Sequence, residues 1–475
     1  MLMTVLRFGC LLLVISQCTL EAAEQKPNIL FIAIDDLNDW VGCLGGHPQA
    51  KTPNIDALAA RGVNFNNAHC QAPICNCSRV SMLLGKLPST TGMYFLAPDF
   101  RNAERTKNEE TVFQYFRRHG YYASTRGKVF HGKDEASFDH IEPSSGWRKD
   151  KKRLAKKWPK TNALWDWGQV DVPDSDQHDY LTAERAASEL PKLAMQDKPF
   201  FLAIGFSLPH VPVYASQKWF DLHPLKNVQL PTTLDSDLND LSEFSQLLTL
   251  NPTGPRHTWM KENDEWKPAV RAYLASTSFV DSQIGRILDS LTNSGVADNT
   301  IVVLWSDHGF HLGEKLRWAK RTLWEESTHV PLIMVGPGIQ AGTCSRAVGL
   351  IDVFPTLAEH CGLPPKADLD GASLSPLLKD PGKEWHRPAL TTFGPNNHAV
   401  RTDDWRYIRY SDGSEELYDH RSDPNEWTNL AAEPQHAGLI SFMKRSLPVV
   451  NSDPLPGSRG ADSPLYKESG KRSEE

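Results

Sequence analysis

The sequence predicts an α/β fold with a large, mostly parallel sheet flanked by helices. Four apolar runs have the length of strands and the continuous apolar character expected of strands buried on both faces. These runs span residues 28–34, 199–206, 300–305 and 331–335. Between the first two lies a helical pattern, capped by Thr52, with Pro53 in its first turn and Gly62 as its stop. Strands that alternate with helices favour a parallel sheet.

Four consecutive parts are predicted along the 475 residues. Residues 1–23 have the pattern of a secretory signal peptide. Residues 24–375 are expected to form the main α/β domain, and residues 376–450 a smaller, β-rich C-terminal subdomain with a helix. Residues 451–475 are polar and are expected to be disordered.

The N-terminal pattern predicts export. Arg7 precedes a short apolar run, and Ala22 and Ala23 offer a cleavage point. The run is too short to span a bilayer stably, so we expect no integral membrane segment after cleavage. The residue before Cys18 fits a lipid-anchoring site poorly. A secreted or periplasmic protein is therefore predicted.

The composition limits which partners and which disulfide bonds are expected. The net charge of −7 argues against nucleic acid as a partner. The basic segment 148–160 is interpreted as a solvated loop, with electrostatic guidance of an anionic substrate as the alternative. Six cysteines remain after cleavage, too few for a disulfide scaffold in so long a chain. Cys344 and Cys361 are a candidate pair, but spacing does not fix connectivity.

Carboxylates follow two of the predicted strands directly. Asp35 and Asp36 end the first run, and Asp307 and His308 end the third. Each group alone is also compatible with an exposed turn. Because parallel strands bring their carboxyl ends to one edge, the two groups together favour a site for a divalent cation there.

Three further stretches carry candidate acid–base or cationic groups. Lys128 and His131 stand three residues apart. His210 lies between two prolines that restrict its backbone. Lys320 follows the Asp307–His308 pair along the chain. A histidine or lysine in isolation is more often structural than catalytic, so these residues gain weight only as a set.

The most informative stretch runs from Cys75 to Lys86. Cys75 precedes Arg79 by four residues, and an apolar run and a Gly-Lys pair follow. This spacing resembles the signature of formylglycine-dependent sulfatases, C-x-P-S-R-x-x-x-x-x-G-K/R. Cys77 stands where the signature has proline, and its own +4 residue is Ser81, so it does not fit as the modified cysteine.

The whole set of residues resembles sulfatases of the alkaline phosphatase superfamily, most of all the iduronate-2-sulfatase-like branch. The resemblance runs from Pro27 to about Asn429, and the order of the motifs is the same. The matching positions are Asp35, Asp36, Cys75, Arg79, Lys128, His131, His210, Asp307, His308 and Lys320. Leu208 stands where that branch often has lysine, which affects the expected substrate more than the reaction.

The resemblance implies an alkaline-phosphatase-like sheet, with residues 24–375 as the catalytic domain. It implies that a formylglycine-generating or sulfatase-maturing enzyme oxidises Cys75 to formylglycine. It implies a divalent metal, Ca²⁺ in this family, held by Asp35, Asp36, residue 75, Asp307 and His308. Its catalytic residues would be Cys75, Arg79, Lys128, His131, His210 and Lys320.

The reaction implied is hydrolysis of a sulfate ester by a hydrated formylglycine. His210, with Lys320 nearby, would protonate the leaving alcohol, and His131 would act as base when sulfate is released. Arg79, Lys128 and Lys320 would neutralise the sulfate oxygens. The expected substrate is a sulfated saccharide, with a uronate 2-sulfate as the branch-level expectation.

Two other functions stay open on the sequence. The same fold also supports phosphoester or phosphonate-ester hydrolysis, since phosphate and sulfate are both tetrahedral. If Cys77 prevents oxidation of Cys75, the protein would instead be a non-catalytic binder of sulfated glycans.

Overall fold

The computed structural model describes residues 26–142, 153–158 and 164–466. The predicted signal peptide 1–23, with Cys18, lies outside the described residues, as does most of the basic segment 148–160.

Strands and helices alternate through the first three quarters of the chain. The strands are β1 (Asn28–Asp35), β2 (Val63–Phe65), β3 (Ala68–His69), β4 (Tyr122–Gly127), β5 (His140–Glu142), β6 (Trp167–Val170), β7 (Phe200–Pro209), β8 (Val213–Ser216), β9 (Thr300–Ser306), β10 (His311–Leu312), β11 (Trp318–Ala319), β12 (Leu332–Val335), β13 (Gly342–Cys344), β14 (Val348–Gly349), β15 (Ala389–Thr392), β16 (His398–Arg401), β17 (Trp405–Arg409) and β18 (Glu415–Asp419). The α-helices are α1 (Pro53–Ala59), α2 (Cys75–Leu84), α3 (Pro88–Thr91), α4 (Val112–Arg118), α5 (His178–Ala194), α6 (Gln217–Asp221), α7 (Glu243–Leu248), α8 (His257–Glu262), α9 (Trp266–Asn293), α10 (Glu325–Thr328), α11 (Val353–His360), α12 (Ser375–Lys379) and α13 (Ala437–Lys444).

The central sheet has eight strands within the described residues, in the order β13-β2-β12-β9-β1-β7-β4-β5. β1 pairs in parallel with β7 and β9, and β4 pairs in parallel with β7. β12 runs antiparallel to both of its neighbours. The sheet is thus mixed but mostly parallel, which confirms the predicted fold class.

The apolar character of β1 follows from its place in the middle of this sheet. Ile29, Phe31 and Ala33 pack into the core on one face. Leu30 and Ile34, with Ile32, pack into the core on the other face, which includes residues of α5 and α9. A strand buried on both faces needs apolar residues at every position, so no alternation is visible in its sequence.

The C-terminal region forms a four-stranded antiparallel sheet, β15-β16-β17-β18. One face packs on α13, where Tyr407 and Leu417 meet Ile440 and Met443. Residues of the other face, such as Ile408, belong to the core of the main sheet. A β-rich unit with a helix was expected here, whereas the exact boundaries at 375 and 450 stay predictions.

The sequence predicts disorder after Asn451, and this prediction is wrong for residues 451–466. Leu455 and Ala461 are buried in the main core. The Tyr94 hydroxyl donates to the Ser452 carbonyl. This segment has few apolar residues, so its composition resembles that of a disordered tail. The segment is ordered because its few apolar residues pack against the core of the main domain.

The six described cysteines are all free, so Cys344 and Cys361 do not form the candidate disulfide. In the described part of the chain, we find no helix whose length and apolar content would let it cross a bilayer.

Gly205 is a point of close approach between strand and loop, and it offers a test of the fold. A Cβ at Gly205 would lie 1.9 Å from the Lys128 carbonyl oxygen. Gly205→Ala should therefore force the backbone at Lys128 away and lower both the midpoint of thermal unfolding and catalytic activity. Gly438→Ala is the control, because the space around Gly438 in α13 is open. It should leave the midpoint unchanged or raise it. Equal midpoints for the two variants would contradict this packing.

Candidate active site

The sheet brings the predicted carboxylates together at the carboxyl ends of β1 and β9. Asp35 ends β1, and Asp36 follows it in a left-handed conformation with φ of 62°. That conformation turns the chain so that the Asp36 amide donates to Asp307 Oδ1 at 3.1 Å. Aspartate tolerates it better than most residues. The neighbouring Leu37 amide donates to Ser306 Oγ at 3.0 Å, which fixes the two strand ends against each other.

Cys75 is the first residue of α2, directly after the extended residue Ile74. The helix is buried along its whole length and ends at Gly85, whose φ is 67°. Ser78 Oγ donates to the Asp307 carbonyl at 2.5 Å and ties the first turn to the end of β9. The Cys75 side chain therefore lies at the carboxyl edge of the sheet, beside the carboxylates.

Four potential ligand atoms converge there, one each from Asp35, Asp36, Cys75 and His308, all within 4.8 Å of one another. His308 Nε2 lies 3.2 Å from Cys75 Sγ and 3.3 Å from Asp36 Oδ1. Asp36 Oδ2 is buried and has no hydrogen-bond partner among the described residues. Two carboxylates and an imidazole, with one carboxylate oxygen left unsatisfied, fit a divalent cation.

Asp307 is engaged differently from the other predicted ligands. Its Oδ2 accepts from Arg79 Nε at 2.8 Å, and its Oδ1 accepts from the His308 amide at 3.1 Å. The same Oδ1 lies 3.7 Å from His308 Nε2. Asp307 thus stands next to the cluster, and its role as a ligand stays a prediction.

Arg79 is completely buried and links three parts of the site. Besides Asp307, it donates from NH2 to Asp35 Oδ1 at 3.1 Å. Its NH1 donates to the carbonyls of Lys128 and Val129, at 2.6 and 3.0 Å. Four of the five N–H groups of the guanidinium therefore donate to the protein itself.

Two lysines surround the Cys75 thiol. Lys320 Nζ lies 3.3 Å from Cys75 Sγ and 2.5 Å from Asp36 Oδ1, and Lys128 forms an ion pair with Asp35. Burial opposes ionisation of Cys75, but Lys320 and Lys128 outweigh it and hold the pKa of the thiol well below its usual range. A group at this position is therefore stabilised as an anion.

The carboxylates at the site titrate unequally. Burial raises the pKa of Asp36 to about 7, although Lys320 and His308 act against it. For Asp35, burial acts in the same direction, but Lys128 and His210 hold the pKa well below its usual range. Burial disfavours protonation of His308, whereas Asp307 raises its pKa to about 9. Asp36 and His308 therefore carry exchangeable protons near neutral pH.

His210 follows β7 and reaches the same edge. Its Nε2 lies 4.0 Å from Asp36 Oδ2, and its Nδ1 lies 2.5 Å from the Val211 carbonyl oxygen. Burial, aided by Lys320, lowers the pKa of His210 to about 3. The structure therefore places His210 beside the cluster as a neutral imidazole.

Among the predicted site residues, His131 stands apart from the cluster. It is exposed, and among the described residues it makes no hydrogen bond or ion pair with the cluster. It lines a cavity of about 710 Å³ together with Lys128, Lys133 and Phe138. Lys128 lines this cavity and also forms an ion pair with Asp35, so the cavity opens beside the cluster.

Sequence reasoning missed Tyr273, which lies within α9. Its hydroxyl donates to the Asp36 carbonyl at 2.6 Å and accepts from the Asn38 amide at 2.9 Å. This contact holds the left-handed turn at Asp36. A tyrosine in a long amphipathic helix gives no sequence signal of such a role, because the contact joins residues more than two hundred positions apart.

Cys77, the departure from the family signature, is buried in the first turn of α2. Its Sγ lies 3.3 Å from the Tyr94 carbonyl oxygen and 3.4 Å from the Ile74 carbonyl oxygen. Backbone N–H groups in a first turn have no partner within the helix, so proline and other residues are both compatible with this position.

Comparison with known proteins gives the family. Residues 27–363 match the family model described as Sulfatase. The chain belongs to the sulfatase family. Residues 313–453 match the model described as N-sulphoglucosamine sulphohydrolase, C-terminal. The expected enzyme class, a sulfuric ester hydrolase, is confirmed by this membership.

Relatives cover nearly the whole sulfatase chain. A sulfatase of Formosa agariphila is 40% identical over an alignment of 448 positions, which covers 90% of this chain and 87% of that protein. The iduronate 2-sulfatase of Mus musculus is 30% identical and covers 89% of this chain and 94% of that protein.

Solved structures show the same fold. One, a protein in complex with its substrate D-glucosamine-2-N,6-O-disulfate, has a TM-score of 0.72 at 23% identity, covering 89% of this chain and 96% of that chain. The phosphonate monoester hydrolase of Silicibacter pomeroyi has a TM-score of 0.73 at 21% identity, covering 88% and 94%. Both likenesses confirm the expected alkaline-phosphatase-like fold.

The protonation states of Asp36 and His308 give a test of the cation site. Binding of Ca²⁺ requires both groups without protons, so at pH 7 it should release about one to two protons per site. The apparent affinity should rise as pH increases through about 7 and level off above about 9. Titration calorimetry in buffers of different ionisation enthalpy measures both quantities.

Asp36→Asn should weaken this binding strongly, because it removes a carboxylate from the cluster. Asp403→Asn is the control, since Asp403 lies in a surface ion pair with Arg346. Proton release near zero at pH 7, or equal affinities of the two variants, would contradict this assignment of the ligands.

Proposed function

We propose that this sulfatase is an exported enzyme that hydrolyses sulfate esters of a carbohydrate, with residue 75 as its nucleophile. The observation that carries the proposal is the surroundings of Cys75 Sγ. Lys320 Nζ and His308 Nε2 lie 3.3 and 3.2 Å from it, in a buried pocket that favours an anion at this position.

Two groups would complete this site. Formylglycine, formed from Cys75 by a maturing enzyme, would supply a hydrated aldehyde whose hydroxyl attacks sulfur. A divalent cation held by Asp35, Asp36, Asp307 and His308 would polarise the sulfate. Calcium is the family expectation and the carboxylates suit it, although an imidazole is an unusual ligand for so hard an ion.

The lysines would bind the sulfate group of the substrate. Lys128 and Lys320 end beside the cluster, and each is paired with one carboxylate there. Arg79 has a different role, because four of its five N–H groups already donate to the protein itself. We infer that Arg79 acts by holding Asp35 and Asp307 in place rather than by touching the sulfate.

His210 would protonate the leaving alcohol oxygen. Its low pKa reflects burial and the neighbouring Lys320. A bound sulfate ester brings negative charge next to the imidazole, which favours its protonated form and moves the pKa towards neutrality. The general acid would therefore be charged when substrate is present.

His131 would serve later in the reaction, as a base or as a contact to the sugar. Its exposed position beside the cavity supports the second role more directly, because a sugar could occupy that cavity. A uronate 2-sulfate is the preferred substrate class, on the strength of the iduronate 2-sulfatase similarity. Leu208 removes a cation that this branch often has, so other sulfated sugars belong in the same screen.

Phosphoester or phosphonate-ester hydrolysis is the second candidate, because the fold is shared with a phosphonate monoester hydrolase. Comparing kcat/KM for an aryl sulfate and the matching aryl phosphate decides between the two. Preference for the phosphate would favour the second candidate.

Cys75→Ala should abolish sulfatase turnover while leaving the thermal midpoint close to that of the wild type. Peptide mass spectrometry of protein from a host with maturing enzymes should find formylglycine at position 75, and aldehyde probes should label it. Cys361→Ala is the control, since Cys361 is also buried but belongs to the core. Full activity of Cys75→Ala would refute the mechanism, and an unmodified, inactive Cys75 would favour the glycan-binding alternative.

His210→Ala should slow a sugar sulfate, whose leaving alcohol needs a proton, by about 10²- to 10⁴-fold. An activated aryl sulfate, whose phenol leaves readily, should lose much less. Measuring kcat for both substrates in the same variant makes each the control for the other. Equal losses on both would remove His210 as the general acid.

A further inference from the structure

Lys320 lies on a backbone that is strained on both sides. Ala319 and Arg321 each have φ of 77°, in the left-handed region that favours glycine. Non-glycine residues persist in this region only when the surrounding structure holds them there. The position of the Lys320 ammonium therefore depends on the contacts that fix residues 319 and 321.

Two contacts of the main chain hold this loop from within the catalytic domain. Ala319 pairs with His311 in the β10–β11 ladder. The Arg321 amide donates at 3.2 Å to the carbonyl of Pro73, two residues before Cys75. These contacts fix the main chain of the loop, but neither of them pairs the charge of the Arg321 side chain.

The Arg321 side chain finds its anion in the C-terminal segment. Arg321 NH2 lies 2.6 Å from Asp462 Oδ2, and the arginine side chain is only 8% exposed. Arg321 Nε is buried and has no hydrogen-bond partner among the described residues. A buried guanidinium strongly requires such a partner, because removal from water disfavours its charge.

Asp462 is itself fixed in space by its neighbours. Ala97 and Arg459 exchange backbone hydrogen bonds, and Ser463 Oγ donates to the Leu247 carbonyl at 3.3 Å. The carboxylate therefore sits on a segment anchored to the catalytic domain on both sides. Its contact with Arg321 transmits that anchoring to the loop that carries Lys320.

We propose that Asp462 is a positioning residue for the reaction, which holds Arg321 so that Lys320 stays against residue 75 and Asp36. This inference rests on the role of Lys320 in the proposed function. It assigns the ordered C-terminal segment a part in catalysis, although no residue of that segment belongs to the cluster.

The test is Asp462→Asn in the full-length, matured enzyme, with an aryl sulfate as substrate. The amide keeps the shape but loses the charge, so kcat per formylglycine should fall about 10- to 100-fold, as expected for a small displacement of a catalytic group. KM should change less than kcat. The thermal midpoint should fall, because the buried Arg321 loses its partner, so kcat is measured on folded enzyme well below the midpoint of the variant. Asp462→Glu, which restores the charge, should recover most of the activity.

Asp403→Asn is the matched control. It removes a carboxylate of similar exposure, 34% against 30%, from another ion pair with arginine. If Asp462→Asn and Asp403→Asn behave alike, or if activity per formylglycine is unchanged while the thermal midpoint falls, the inference is wrong and the ion pair is only structural.

A double-mutant cycle shows whether Asp462 acts through Lys320. The double variant Lys320→Ala/Asp462→Asn should lose no more activity than Lys320→Ala alone. Losses that multiply would overturn the inference while leaving the role of Lys320 intact. An active Lys320→Ala would instead refute the proposed role of Lys320, and with it this inference.

Discussion

The buried guanidinium of Arg79 is the interaction on which the site depends. It joins the ends of β1 and β9 through Asp35 and Asp307, and it binds the chain leaving β4 through two carbonyls. Arg79 and both of its carboxylate partners are fully buried, so water solvates none of the three charges. Removing one partner from such a network typically costs about 3–5 kcal/mol, because the others are left uncompensated.

The charges around this network alternate, and that alternation prepares the site for an anion. Asp35 and Asp36 each pair with a lysine, and Asp307 pairs with Arg79. The overall charge of −7 gives no hint of this local arrangement. Burial strengthens each of these interactions relative to the surface, since the surrounding medium screens them less. An anionic substrate can therefore be recognised in an acidic protein.

The C-terminal sheet contacts the loop that carries Lys320. Arg406 donates to the Leu323 carbonyl at 2.9 Å, and Trp324 Nε1 donates to Glu416 Oε2 at 2.8 Å. Residues that follow Lys320 are thus fixed by strands β17 and β18.

The sequence by itself determined the fold class and supplied the candidate residues of the site. Strands buried on both faces must be apolar throughout, and carboxylates directly after such strands must lie at one edge of a parallel sheet. Asp35, Asp36 and Asp307 could be placed on that physical basis. Cys75, His210 and Lys320 were found through their resemblance to family motifs, because local spacing does not reveal which distant side chains meet.

Only the tertiary structure decided which contacts each of these side chains makes. It turned Asp307 towards Arg79, left His131 exposed at a cavity wall, and brought Tyr273 to the turn at Asp36. It also ordered the segment around Asp462. The composition of this segment resembles that of a disordered tail, but its few apolar residues pack into the core. Long-range contacts of this kind depend on the geometry of the packed elements, which a local sequence pattern does not encode.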